Sequence, residues 1–188
     1  MNEQIKVLDA QIRECFGRVI YSHKTHEKAA DIYLTRLKII KNSQIILSVL
    51  TTGSILANLF NIFGLAILAQ ILSAIFSIVL LVLNAYSRNF NLGELVQKHR
   101  DTANKLWKVR EDYLSLLTDI KAETLKLDLI QSKRDSLQDE LESIYSAAPP
   151  TFAKAYKLAQ TTLQINEEFT FNDQEINKFL PKLLQKDL

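Results

Sequence analysis

His23, His26 and Glu27 fall within little more than one helical turn of each other, and an antiparallel neighbour could bring His99 beside them. Imidazoles and a carboxylate gathered inside a helical bundle are the raw material of a metal centre. Such a centre usually collects several inward carboxylates with histidines at fixed spacing, and this sequence offers no second matching Glu-x-x-His motif. Polar contacts inside a packed stalk account for the histidines, so neither a metal nor a cofactor is expected. Cys15 is the single cysteine, which excludes an intrachain disulfide and a multi-cysteine metal site but leaves a cross-link between two chains open. A phosphate-cradling glycine loop, a nucleophile elbow and a zinc-protease motif are all missing, so the chain reads as a protein that is not an enzyme.

A second set of polar residues has a different character, because it lies in an interval without charge. Between Lys41 and Arg88 there is no Asp, Glu, Lys, Arg or His. Within that interval Gln70, Ser73, Ser77 and Asn84 are spaced by three, four and seven, which puts them on one side of a helix. Gln44, Ser48, Thr51, Thr52 and Asn58 form a broader and less regular polar side upstream. Polar groups in an apolar surrounding need partners, and either hydrogen bonds between helices or water in a pore would supply them. In the first case these residues hold a helical hairpin together, with Gly53 and Ala57 permitting close backbone approach. In the second case several copies must assemble, since two helices cannot enclose an aqueous channel. Leu80 or Leu81 is then available as a hydrophobic gate, and the absence of charged rings predicts weak ion selectivity.

The elements that position these residues follow from the same uncharged interval. It is rich in Leu, Ile, Val, Phe and Ala, and at ~1.5 Å per helical residue it can cross a ~30 Å hydrocarbon layer about twice. The pattern predicts a first span from about Ser43 to Leu59 and a second from about Leu65 to Ala85, with Asn58, Asn61 and Gly64 marking the turn. Each central Leu, Ile, Val or Phe favours insertion by roughly 0.3 to 0.6 kcal/mol, and no charge opposes it. A hairpin buried inside a soluble bundle is the competing reading, but the remaining helices are too few to cover both apolar rods. Arg36, Lys38 and Lys41 precede the first span and Arg88 follows the second, whereas the turn carries no basic residue. By the positive-inside tendency both termini face the cytoplasm. Glu3, Lys6 and Asp9 interrupt the first turns, so no secretory signal is read there and membrane targeting is expected to reside within the chain. A net charge of +2 with no extended basic block gives no support to direct nucleic-acid binding.

From Ile5 onward, Leu8, Ile12, Cys15, Val19, Ser22, His26, Ala29 and Tyr33 follow alternating three- and four-residue steps. After the spans, His99, Ala103, Leu106, Arg110, Tyr113, Leu117, Ile120, Thr124 and Leu127 repeat the pattern, and no proline interrupts before Pro149. Two heptad-like helices paired as an antiparallel stalk are the expected result. Trp107 lies beside this seam as a packing aromatic or an oligomer contact. Pro149 and Pro150 end the second helix; apolar residues return at helical spacing from Phe152 to Gln164, and Asn172 with Glu175 forms a capping signal for a short helix stopping near Pro181. The chain therefore reads as an all-α membrane protein. It comprises an amphipathic helix over 1–41, a two-transmembrane hairpin over 42–87, a long cytoplasmic helix over 88–148 and a small helical appendage over 149–188.

The segment Arg13–Tyr33 (RECFGRVIYSHKTHEKAADIY), the hairpin and Lys105–Tyr113 (KLWKVREDY) together resemble the SLATT family, the SMODS- and SLOG-associating two-transmembrane effector domains. Pro149–Pro150, Asn166–Phe171 (NEEFTF) and Phe179–Pro181 are similar to the longer variety of that family, so the resemblance spans nearly the whole chain. It implies an antiphage effector of the bacterial inner membrane, encoded beside a nucleotide second-messenger synthase or a reverse transcriptase, that breaches the membrane and causes abortive infection. Its partners would be the lipid bilayer, further copies of itself and the product of that neighbouring gene. The family carries no agreed functional residues to transfer, so the candidate residues rest on helix geometry alone. A membrane-anchored scaffold or sensor for a cytosolic defence enzyme is the alternative from a different class, and it needs no polar channel.

Overall fold

The computed structural model describes residues 3–60, 66–165, 172–182 and 185. The expected turn markers Asn61 and Gly64, and the Asn166–Phe171 segment of the resemblance, lie outside these residues. Helix α1 runs without a break over Glu3–Leu59, 57 residues, or about 85 Å at ~1.5 Å per residue. No proline falls in it, and its two glycines, Gly17 and Gly53, have only open space where a Cβ would stand. Helix α2 (Ala66–Asn89) returns along the second half of α1, and α3 (Leu92–Lys121) continues along the first half. The junction between α2 and α3 is set by Asn91, whose side chain accepts from Glu94 N at 3.2 Å and donates to Glu94 Oε2 at 3.1 Å. This N-cap satisfies backbone donors that a helix start otherwise leaves unpaired.

The single helix expected over 88–148 is divided again after Lys121. Helix α4 (Leu127–Ala147) folds back onto α3 through a turn at residues 122–126. Glu123 N donates to Ile120 O at 3.1 Å and Thr124 N to Asp119 O at 3.2 Å, the paired bonds of a Schellman motif. The left-handed position is held by Glu123 at φ 56°, where glycine is usual. A left-handed non-glycine residue costs about 1–2 kcal/mol. Burial of Ile130, Leu137 and Ile144, one every seven residues along α4, offsets this at about 1.5–3 kcal/mol each.

These three side chains join Leu8, Ile12, Cys15 and Val19 of α1 and Leu106, Val109, Tyr113, Leu116 and Ile120 of α3 in one core. Helix α5 (Ala153–Gln164) docks on α1 through Ala155 and Ala159. Tyr21 and Tyr156 stack with ring centroids 5.9 Å apart, and Gln164 Nε2 donates to Tyr21 Oη at 2.7 Å. Helix α6 (Asp173–Phe179) begins at the reciprocal cap of Asn172 and Glu175 that their spacing announced. No strand occurs among the described residues. The apolar stretches of α1 and α2 are long enough to cross a membrane, and none of their residues is buried by the rest of the chain.

Candidate functional site

Heptad spacing continues from the stalk into the spans and decides which side chains meet. On α1, Leu47, Thr51, Ser54 and Asn58 are half-buried; on α2, Ala69, Ser73, Phe76, Leu80 and Leu83 are. These rows form the seam between the two helices. Ser73 and Leu80 thus lie inside the hairpin, while Leu81 is 69% exposed and points away from it. Ser73 Oγ is inaccessible to solvent and has no hydrogen-bond partner among the described residues.

Beside the seam runs a polar flank. Gln44 Nε2 donates to Asn84 Oδ1 at 2.9 Å near the stalk end, and Gln70 Nε2 donates to Asn58 Oδ1 at 3.3 Å near the far end. Gln70, Ser77 and Asn84 recur every seven residues on α2, and Gln44, Ser48 and Thr52 every four on α1. The Gln44–Asn84 pair brings the two rows to one side of the hairpin, and the Gln70–Asn58 pair ties the α2 row to the seam residue Asn58. Between those pairs Ser48, Thr52 and Ser77 are exposed. The hydroxyls of Ser48, Thr51 and Thr52 also donate to the carbonyls of Gln44, Leu47 and Ser48 at 2.8–2.9 Å, so these three satisfy themselves within the helix. Gly53 lies off the seam with open space at its Cβ position, so it does not serve close approach of α1 and α2.

In the stalk, His26 and His99 meet as the antiparallel pairing predicts. Their Nδ1 atoms are 2.9 Å apart, His26 is 4% exposed and His99 is fully buried. His99 Nε2 is buried without a hydrogen-bond partner, and a bare lone pair is easier to leave there than an N–H. This assigns the shared proton to His99 Nδ1, donating to His26 Nδ1, with the His26 proton on Nε2. Tyr33 stacks on His99 at 5.5 Å and meets Phe152 edge-on at 5.6 Å, closing the pair from the α5 side. His26 also lines a cavity of about 340 Å³ with Tyr21, Ser22, Thr25 and Tyr145. Burial holds His26 down at about 4, with His99 and His23 acting in the same direction, and burial lowers His99 too. His23 is lowered by burial against the opposing charge of Glu27. The pair is a neutral hydrogen bond between imidazoles, and no group of three or more metal-ligating side chains occurs among the described residues.

The profile of the SMODS and SLOG-associating 2TM effector domain family 4 matches residues 8–175. This chain belongs to that family. No curated protein and no solved structure matches it. SLATT domains are two-transmembrane effectors of antiphage defence systems with no known catalytic activity, and they associate with SMODS-type partners. The match covers stalk, hairpin and α5 of this SLATT chain together, so the polar flank and the histidine pair both belong to the effector domain. Within the SLATT hairpin, Gln44 and Asn58 are the partners that spacing on α2 alone did not single out. Their signal is the extension of the α1 heptad from Tyr33 through Leu37, Ile40 and Gln44 to Asn58.

Proposed function

We propose that this chain is a homo-oligomeric effector that disrupts the bacterial inner membrane when a phage-triggered signal reaches it, with both termini in the cytoplasm. One observation carries the reading: the outer surface of the hairpin has a polar flank along one side and large apolar side chains over most of the rest, in a domain whose family is named for its two-transmembrane effectors. Two helices cannot enclose water, but several hairpins with their polar flanks turned inward can. In that assembly Ser48, Thr52 and Ser77 line the path, Gln70 and Asn84 edge it, and Thr51 and Ser73 pack within each hairpin. Leu81, pointing outward, is the constriction, and Leu80 supports it from the seam. The trigger is a nucleotide second messenger or a partner protein encoded nearby.

A membrane-anchored scaffold for a cytosolic defence enzyme is the second reading, favoured by the two amide pairs, which spend the largest polar groups of the spans inside one chain. Induced expression with a membrane-potential dye and propidium iodide separates the two. The pore reading expects rapid depolarisation by wild type and its loss in Ser48→Leu/Ser77→Leu at matched membrane levels. Equal depolarisation by both proteins overturns the proposed lining. Silence from both, even with the neighbouring genes co-expressed, supports the scaffold.

A further inference from the structure

At the stalk end of the polar flank the two helices border a shallow, open crevice of about 430 Å³. Its polar wall is Lys41, Gln44, Ser48 and Asn84, and its apolar wall is Ile45, Val49 and Leu80. The order along the helices matters. Lys41 stands at the end nearest the stalk, the Gln44–Asn84 pair comes next, and Ile45, Val49 and Leu80 extend toward the bilayer centre. On α2, Leu80, Asn84 and Arg88 follow one another at four-residue steps, so Arg88 continues the crevice row one turn past Asn84, level with Lys41 across the hairpin. Arg88 and Lys41 are both exposed. From position 32 to position 93 the chain contains Arg36, Lys38, Lys41 and Arg88 and no Asp or Glu. Positive charge at headgroup depth is therefore not neutralised by a local carboxylate.

We propose that this crevice binds one anionic phospholipid from the leaflet on the stalk side. Its phosphate sits between Lys41 and Arg88, its glycerol and ester oxygens meet the amides of Gln44 and Asn84, and an acyl chain lies along Ile45, Val49 and Leu80. A cation at the mouth, amides at the ester level and aliphatic side chains below reproduce the polarity gradient of a single lipid. A soluble anion would use only the mouth and leave the aliphatic wall unoccupied. A lipid seated here covers the stalk-end half of the polar flank, so it competes with any contact between copies along that flank. The binding itself requires only the membrane hairpin, and it stands or falls independently of pore formation.

The test is native mass spectrometry of the full chain in detergent, titrated with dioleoylphosphatidylglycerol or dioleoylphosphatidylcholine. One phosphatidylglycerol per chain is expected to persist where phosphatidylcholine is lost. Lys41→Gln and Arg88→Gln each weaken binding roughly fivefold and the double variant about thirtyfold, while Arg36→Gln, five residues and about 140° round α1 from Lys41, changes it by less than about twofold. Ser48→Trp fills the crevice with both cations in place and abolishes binding. Equal binding of phosphatidylcholine, equal loss in Arg36→Gln, or full binding by Ser48→Trp overturns the site. Displacement of the lipid by millimolar inorganic phosphate would reassign the mouth to a free anion and overturn it as well.

Discussion

Helix α1 carries one heptad seam through two solvents, and its halves differ in what surrounds that seam. Over the stalk, α1 is covered by α3 and α5 and in part by α4, and Ile12, Val19 and Ala29 have no exposed surface. Over the spans it meets α2 alone, and Ile45, Val49 and Ile55 remain 64%, 66% and 54% exposed. In water such an uncovered surface would be an aggregation liability; in hydrocarbon it is already solvated. The polar side chains reverse in the same way. His26 and His99 are hidden in the stalk, whereas Ser48, Thr52 and Ser77 lie on the outside of the hairpin. Association of the stalk is driven by apolar burial. Association of the spans rests on close packing and on hydrogen bonds between helices.

The sharpest way to break this comparison is to truncate one leucine in each half. Leu106, fully buried between α1 and α3, should cost about 3 kcal/mol as Leu106→Ala, with a fall of roughly 6–12 °C in the thermal transition of purified protein. Leu81→Ala, at a side chain 69% exposed on the outside of α2, should stay within about 0.5 kcal/mol in detergent. Equal effects would mean that the outer face of the hairpin is covered by protein, as a preassembled oligomer would make it.

A comparable effect in the stalk depends on pH. His26 titrates near 4 when folded against an ordinary value of 6.5, and His99 is shifted in the same direction. Between those values the unfolded chain binds protons that the folded chain refuses. Stability is therefore full above about pH 6.5 and falls by roughly 3 kcal/mol as pH drops through the folded value of His26, with His99 adding to the fall. Thermal scans from pH 7.5 to pH 4 read this directly. His26→Leu/His99→Leu removes both partners of the hydrogen bond and should flatten the slope to the contribution of His23, because two apolar replacements strand neither donor nor acceptor. The amide pairs of the spans carry no titratable proton, so the same scans leave the hairpin contacts unchanged.

What the sequence made legible follows from these differences. The uncharged interval and the paired heptads specified the hairpin and the stalk, because lipid depth and the period of the seam are both written in residue type. The fold-back of α4 was not legible. A Schellman turn is normally announced by glycine, and here Glu123 holds the left-handed position with no proline or glycine beside it. Asn91 with Glu94 carries a capping signal for the break between α2 and α3, which the expectation of one helix over 88–148 passed over. Of the polar residues on α2, Gln70, Ser77 and Asn84 share the flank, but Ser73 is turned into the seam, since a three-residue step from Gln70 stops about 60° short of a full turn. Gly53 illustrates the same difficulty, as a small residue reads alike whether it faces a partner helix or lipid. Glu123→Gly relieves the left-handed strain and should stabilise the stalk by about 1 kcal/mol in denaturant or thermal unfolding. A loss of stability would mean that contacts of the Glu123 side chain outweigh the strain.

The smallest expected effect tests the hairpin half of the comparison most directly. Gln44 and Asn84 form a hydrogen bond 2.9 Å long between the spans, about one turn inside the cations Lys41 and Arg88. A double-mutant cycle with Gln44→Leu, Asn84→Leu and both together isolates the coupling between the side chains. Hydrogen bonds of this kind between membrane helices average about 0.6 kcal/mol and reach at most about 1.7, because the separated helices also find polar partners. A coupling in that range, measured by unfolding in mixed micelles, is expected if each amide answers the other within one chain. If the pair instead faces water inside an assembly, both amides are solvated without each other and the coupling falls to zero. Loss of coupling on addition of the activating partner would show that the flank opens as copies assemble, whereas coupling that persists through activation would keep the hairpin closed and favour the scaffold.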